Sequence, residues 1–204
     1  MASDRLHKIS APPVRVPGDG RHLRSEISLD ELERQLTLDA QRALLRYWNS
    51  IRHYGRLPAR SDFDPLSVAR ILGHFGLIDI VEPGPMFRYP LIESSLRLTA
   101  KGQRDGQFIG DGQTTAYAAY LSCVCELPYR FRKPVFIRER AEFEDGKTTV
   151  FARLLLPLAR DHNSPDMLLV SVMPDPDSPR EQVLHTSAPQ RCFALSMVLA
   201  KPLS

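Results

Sequence analysis

The side chains that most often hold metal ions are few and scattered in this sequence. The six histidines are His7, His22, His53, His74, His162 and His185. No two of them have the four-residue spacing that places two ligands on one face of a helix, and none is paired with a cysteine at zinc-finger spacing. The sequence therefore predicts no metal site.

The cysteines read as structural residues. Cys123 and Cys125 are two residues apart, which is poor geometry for a disulfide, and on a helix they point to different sides. We expect both to act as small buried apolar side chains. The chain's 3 cysteines cannot all pair with one another, so we expect reduced thiols and a cytoplasmic protein.

Motifs for catalysis are missing from the sequence. It contains no Gly-x-Ser-x-Gly, no phosphate-binding loop and no dinucleotide fingerprint. The glycine-rich run from Gly102 to Gly112 follows no clear strand and lacks the Lys-Ser/Thr ending of a phosphate-binding loop. Because no nucleophile, base and orienting group come together, we expect a protein that is not an enzyme.

Two arginines could bind an anion. Arg138 and Arg153 lie on the two arms of a hairpin predicted at Asp145-Gly146, a strong two-residue turn signal. If both faced the interior, they would favour an anionic ligand. The neighbouring apolar residues that claim the inner face are Val135, Ile137, Ala152 and Leu154. We therefore expect the two arginines to face solvent or a partner.

Composition and charge limit the classes of partner. The 204 residues carry a formal net charge of +3, which is too close to neutral for a dedicated nucleic-acid binder. No apolar run approaches the roughly 20 residues that a membrane span needs. Proline and glycine without apolar periodicity mark residues 1–26 as a disordered or loose arm, and residues 175–204 read as a C-terminal tail, docked or free.

The first ordered element is a helix within residues 27–56. Ser28 and Glu31 form a capping box, and apolar residues then recur every three or four positions from Leu29 to His53. Gly55 would end the helix.

This helix carries a second apolar face. Leu38, Leu45 and Trp48 lie about a third of a turn from the main stripe and would be exposed if the helix covered only its own domain. Such a patch predicts a homodimer interface. The alternative is that the segment Cys192–Ala200 docks on this face within one chain.

The remaining elements lie within residues 57–174. Strands are predicted at residues 75–82, 87–93, 134–143, 148–158 and 167–173, with a short helix after Asp64-Pro65, Leu66 inward, and a longer helix at residues 114–126. This order predicts an α+β domain with a five-stranded antiparallel sheet and helices on one face.

The most specific stretch of the sequence is Leu57-Pro58-Ala59-Arg60-Ser61-Asp62-Phe63-Asp64-Pro65. Shorter ones are Tyr47-Trp48, Leu77-Ile78-Asp79-Ile80, Phe87-Arg88-Tyr89 and Leu156-Pro157-Leu158-Ala159-Arg160-Asp161. Together they resemble a PAS-like family of alphaproteobacteria, once catalogued as a domain of unknown function, over roughly residues 40–174. The resemblance implies a PAS fold, a sensing or interaction role and no established catalytic residues. We expect the charged residues of the longest stretch to fix a junction between helices; a ligand contact is the alternative.

The resemblance also implies a cavity between sheet and helices, mostly apolar with a few polar groups. The residues expected to line it are Tyr89, Leu98, Phe108, Tyr117, Tyr120, Phe136, Arg138 and Arg153. The alternative is that the aromatic side chains simply fill the core. A photoactive flavin is disfavoured because residues 102–112 contain no cysteine, and haem is disfavoured because residues 113–127 contain no histidine.

Two functions from different classes fit such a domain. The first is a stand-alone sensory or signalling module that binds a small molecule, a partner protein such as a kinase, or both, without catalysis. The second is a structural or protein-interaction module whose core is filled and which binds no ligand. A small molecule retained by the purified protein would separate the two.

Overall fold

The computed structural model of the chain describes residues 25–64, 66–67, 75–82, 85–89, 106–176 and 189–201. The strands are β1 (Ser25–Ile27), β2 (Phe75–Val81), β3 (Met86–Arg88), β4 (Val135–Glu142), β5 (Thr148–Leu158), β6 (Met167–Pro174) and β7 (Arg191–Ala200). The helices are α1 (Leu29–Gln35), α2 (Asp39–Ser50) and α3 (Thr115–Phe131), with a 3-10 turn at Arg60–Asp62. Leu98, the predicted strand beyond residue 89, residues 1–24 of the predicted arm and half of the predicted C-terminal tail lie outside the described residues.

The described strands form one sheet in the order β1-β7-β4-β5-β6-β2-β3. Only β1, which lies parallel to β7, departs from antiparallel pairing among the described strand pairs. The α+β class is confirmed, but the predicted count of five strands is wrong, because seven described strands form the sheet. The five expected strands stand side by side, and β7 and β1 extend the sheet beyond β4.

Strand β7 lies in the predicted C-terminal tail, in the segment that was the alternative cover for the second face of the N-terminal helix. It pairs with β4 from Arg191 to Leu199, and its Val198 and Ala200 pack in the same core as Leu45 and Trp48. The register shifts between Arg138 and Glu139 of β4, which marks a bulge in β7. The bulge changes the phase of β7, so its apolar residues do not follow one simple alternation.

Helices cover both faces of the sheet. Helix α3 packs on one face, in a core that includes Val135, Ile137 and Leu155. Helices α1 and α2 pack on the other, in a core that includes Leu154 and Leu156. The prediction of helices on one face therefore missed this second layer, and central strand β5 is apolar on both of its sides.

The predicted helix from Leu29 to His53 is two helices, because the chain is extended at Leu36 and Leu38. The Ser28 cap is confirmed: its hydroxyl accepts from the Glu31 backbone N–H at 3.2 Å. The Glu31 carboxylate does not complete the box; it pairs with Arg34 within α1. The break lets both helices turn apolar residues toward the sheet.

The structure contradicts the second, exposed helix face. Trp48 is fully buried and Leu45 is 2% exposed, both against the sheet, and Leu38 packs partly buried on the same core. The indole Nε1 of Trp48 donates to the carbonyl of Pro157 at 2.9 Å. The argument for a homodimer interface on these three residues therefore falls, because the chain's own sheet covers them.

Residues 57–64 fix the junction after α2, as expected. Asp62 accepts from the backbone N–H of Ala59 at 2.8 Å, and Arg60 donates to the carbonyl of Phe63 at 3.1 Å. Asp64 accepts from the backbone N–H of Leu66 at 2.9 Å. Leu66 itself was expected to face inward and is 78% exposed.

The hairpin between β4 and β5 turns where Asp145-Gly146 predicted it, but by a different route. Only Gly146 has a positive φ, 78°, and its N–H donates to the carbonyl of Phe143 at 3.0 Å. A two-residue type I′ turn would need positive φ at both central residues. The chain instead makes a longer turn that ends on a left-handed glycine.

Helix α3 runs past the residue expected to stop it. Thr114 caps its start, accepting from the backbone N–H of Tyr117 at 3.3 Å. The predicted end near Pro128 is wrong, because the helix continues to Phe131 and ends where Arg132 adopts a left-handed φ of 54°. Pro128 lies in the last turns and is buried, so its packing offsets the one hydrogen bond that it cannot make.

Candidate functional site

A buried ion pair lies between the sheet and α3. Arg153 of β5 places Nη2 2.6 Å from Oε1 of Glu139 on β4, and its Nε lies 3.1 and 3.0 Å from the two carboxylate oxygens. The side chains are 8% and 1% exposed, respectively. Register explains the contact: Arg153 is opposite Ile137, two residues before Glu139, so the pair is a diagonal neighbour on one face.

Helix α3 adds a third side chain to this cluster. The hydroxyl of Tyr120 donates to Oε2 of Glu139 at 2.7 Å, and the tyrosine is fully buried. Burial and the nearby Glu139 carboxylate raise the pKa of Tyr120, so its hydroxyl stays protonated and remains a donor. Both oxygens of Glu139 therefore accept from Arg153 or Tyr120.

Arg153 keeps its positive charge despite burial. Burial alone would lower the pKa of the Arg153 guanidinium, but the attraction and hydrogen bonds of Glu139 outweigh it and hold that pKa well above its ordinary value. A buried charge pair is costly to desolvate, so it is weak evidence for stability. Its placement among apolar residues is a reason to look for a functional role.

The groups around the pair are neutral. Burial raises the pKa of Cys125 to about 12, and it raises the pKa of Cys192 and of Tyr117 as well. Cys125 and Cys192 are buried, whereas Cys123 is only partly so. The expectation that both Cys123 and Cys125 are buried is confirmed for Cys125, whereas Cys123 packs partly buried against the same core.

The structure brings four of the predicted cavity residues to this face of the sheet. Tyr120 and Arg153 belong to the ion-pair cluster, and Tyr89 and Tyr117 pack partly buried against the same core. The aromatic pair on α3 is one turn apart, so both side chains face the sheet side of the helix.

The other predicted cavity residues lie elsewhere. Phe136 belongs to the core under α1 and α2. Arg138 leaves the cluster too, with Nε 2.7 Å from Oδ2 of Asp175. Phe108 is 36% exposed and forms an isolated bridge with Arg88. Leu98 is outside the described residues.

Both arginines were expected to face solvent or a partner, and for Arg153 this expectation is wrong. Arg153 was placed outward because Ala152 and Leu154 were assigned to the inner face. Those two residues do face a core, but it is the one under α1 and α2. With both faces of β5 buried, alternation cannot say which side is solvent.

Glu139 is the residue that sequence reasoning missed. It interrupts an apolar row that faces α3, formed by Val135, Ile137, Ala141 and Phe143. A carboxylate within an apolar row can be seen in the sequence, and it indicates a buried acid that needs a partner.

The described residues hold no group of three or more histidine, cysteine or acidic side chains placed to bind a metal ion. None of the described helices is both long and apolar enough to cross a membrane.

A family model described as a PAS domain matches residues 36–173, well over half of the chain. The chain belongs to the PAS domain family. No curated protein and no solved structure matches it. PAS domains are sensory and signalling modules, generally non-catalytic, that often mediate protein–protein interaction. The matched region holds α2 and the strands from β2 almost to the end of β6, and β1, α1 and β7 lie outside it.

Proposed function

We propose that this PAS domain is a non-catalytic sensor that binds a small molecule between the sheet and α3. The carrying observation is the buried Arg153–Glu139 pair, with Tyr120, on the face of the sheet that α3 covers. A core built only for stability gains little from such a pair, since apolar residues of similar volume often serve as well. A polar group inside an apolar site is what orients a ligand.

Two further groups support this location. Tyr117 and Tyr89 stand at the border of the same core, each with part of its side chain accessible. Aromatic residues that are polar at one end can contact both the apolar body and a polar group of a ligand. The alternative function, a structural or interaction module with a filled core, has the same fold and no ligand.

The sensor would pass its state to another protein by contact. We propose a signalling protein such as a kinase as the partner, and a cytoplasmic location, which the free thiols of Cys123, Cys125 and Cys192 support. A homodimer through Leu38, Leu45 and Trp48 is not part of this proposal, because those side chains lie in the core.

Native mass spectrometry tests whether a ligand is present. Freshly purified protein is expected to carry a small molecule beyond its 23.1 kDa of polypeptide, and the added mass should disappear on denaturation. The matched control is Glu139→Met with Arg153→Met, which removes the polar cluster and should give the polypeptide mass alone. A wild-type spectrum showing only the bare polypeptide would favour the filled-core alternative.

A further inference from the structure

Strained backbone is concentrated at one end of the sheet, opposite the β4–β5 hairpin. Among the described residues, three that are not glycine have a positive φ: Tyr54 at 49°, Arg132 at 54° and His162 at 58°. They lie in the loop after α2, directly after α3 and in the loop between β5 and β6. This conformation is costly for a residue with a side chain, and residues held in it cluster at functional sites.

Contacts between the loops bring these three residues to one surface. The Leu57 N–H donates to the carbonyl of His162 at 3.2 Å, and the ring centroids of His53 and His162 are 5.8 Å apart in an edge-to-face arrangement. Arg132 Nη1 donates to Oδ1 of Asn163 at 2.9 Å. We call the following residues the three-loop surface: 52–56, 132 and 160–163.

Tyr54 projects from this surface without supporting the fold. Its side chain is fully exposed, and neither of the two cores includes it. A glycine or an asparagine would adopt the same φ at lower cost, so the fold gives no reason for an aromatic residue here. Tyrosine and arginine are enriched among the residues that contribute most to protein–protein binding.

The arginines of the three-loop surface have neutral partners. Arg52 donates to the carbonyls of Gly55 and Arg56, and Arg132 donates to an asparagine side chain. None of the described carboxylates forms an ion pair with Arg52, Arg56 or Arg132. These guanidinium groups therefore remain available to carboxylates of another molecule, which they can bind through two parallel hydrogen bonds.

The acids at this end of the sheet decide between two classes of anionic partner. Asp62, Asp161 and Asp166 each accept a hydrogen bond from a backbone N–H, which fixes them in place. Asp166 also lies 3.6 Å from Arg160, whose side chain is 91% exposed. Fixed negative charges between the arginines would repel the continuous phosphate chain of a nucleic acid. A protein segment can place its carboxylates only where the arginines are.

We propose that the three-loop surface binds an acidic segment of a partner protein. Carboxylates of that segment bind Arg56 and Arg132, and an apolar side chain packs on Tyr54. This inference rests on the part of the proposed function in which the domain contacts another protein, and it names the surface and the chemistry of that contact. It does not depend on a small molecule between the sheet and α3.

Three probes test the inference: a short peptide of alternating glutamate and leucine, its counterpart with lysine in place of glutamate, and a short DNA duplex. Each is titrated into the full-length protein and followed by ¹H–¹⁵N spectra. The glutamate peptide is expected to shift the backbone signals of Tyr54, Arg56 and Asn163. It should bind at least about tenfold more tightly than the lysine peptide.

Two variants separate binding from stability. Tyr54→Asn and Arg132→Gly each replace a strained residue with one that adopts a positive φ more readily, so the midpoint of chemical denaturation should stay or rise. Each should nevertheless weaken binding of the glutamate peptide by about tenfold. Lys147→Met removes a positive charge at the opposite end of the sheet and should bind the peptide like the wild type.

Every other outcome overturns the inference. Tighter binding of the DNA duplex at the same signals would make this a nucleic-acid surface, and shifts that depend on protein concentration alone would make it a contact between two copies of the chain. Equal binding by the two peptides, or no shift at these signals, would leave the acidic segment without a site. The native mass spectrum tests the small-molecule site separately, so the two failures can be distinguished.

Discussion

Replacing Arg153 with methionine is expected to lower the free energy of unfolding by about 3–5 kcal/mol. The substitution leaves the Glu139 carboxylate, 1% exposed, with the Tyr120 hydroxyl as its one remaining partner from the cluster. A buried charge without a counter-charge is among the few single changes with so large an effect. Chemical denaturation at neutral pH, followed by circular dichroism, measures it.

Two control variants test whether the loss of stability comes from leaving a buried charge without its partner. Glu139→Met with Arg153→Met removes both charges, and its stability should return to within about 1 kcal/mol of the wild type. Lys147→Met breaks the ion pair with Asp145, whose side chains are 58% and 46% exposed, and should cost less than about 1 kcal/mol. If Arg153→Met costs no more than Lys147→Met, the Arg153–Glu139 pair is not buried as described.

Replacing Leu45 with glutamate is expected to lower the free energy of unfolding by about 4 kcal/mol or more. Leu45 packs in the core between α2 and the sheet, so the variant would bury an unpaired carboxylate. This loss approaches the whole stability of an ordinary domain, which is about 5–15 kcal/mol. Circular dichroism and chemical denaturation should therefore show a largely unfolded or marginally stable protein.

Leu66→Glu is the matched control, because Leu66 is an exposed leucine. It should change stability by less than about 0.5 kcal/mol. A Leu45→Glu protein that keeps the stability of the wild type and differs from it only by a smaller mass in light scattering would show that Leu45 lies in an interface between chains, against the structure.

Features set by local sequence could be predicted well. The Ser28 cap depends on a side chain and a backbone N–H three residues apart. The β4–β5 hairpin depends on a glycine that can adopt a positive φ. Strand β5 was predicted over residues 148–158, the range that the structure shows. For the cap and the hairpin turn the deciding contact lies within a few residues along the chain, and β5 begins directly after that turn.

Features that depend on contacts between distant parts of the chain could not be predicted from the sequence. The break between α1 and α2 depends on a sheet that the two helices cover, which helix periodicity alone does not contain. Strand β7 pairs with β4, about fifty residues earlier in the chain, and its bulge disturbs the alternation that would have revealed it.

The same distinction holds for the residues of the candidate site. Tyr117 and Tyr120 were predicted because they lie in the predicted helix at residues 114–126, beside which the family resemblance implies a cavity. Arg153 was named as a candidate, but its side chain was predicted to face solvent. Alternation along a strand distinguishes two faces and does not show that both are buried. Glu139 went unnoticed because its partner, Arg153, was assigned to solvent. One pairing across β4 and β5 would have corrected both residues together.

A crystal structure of the freshly purified protein tests the central claim most directly. The claim predicts electron density for a small molecule between the sheet and α3, within about 3.2 Å of a polar atom of Arg153 or Tyr120. Side chains of the chain itself packed around this cluster, with no density left over, would contradict it and identify the protein as a PAS domain with a filled core.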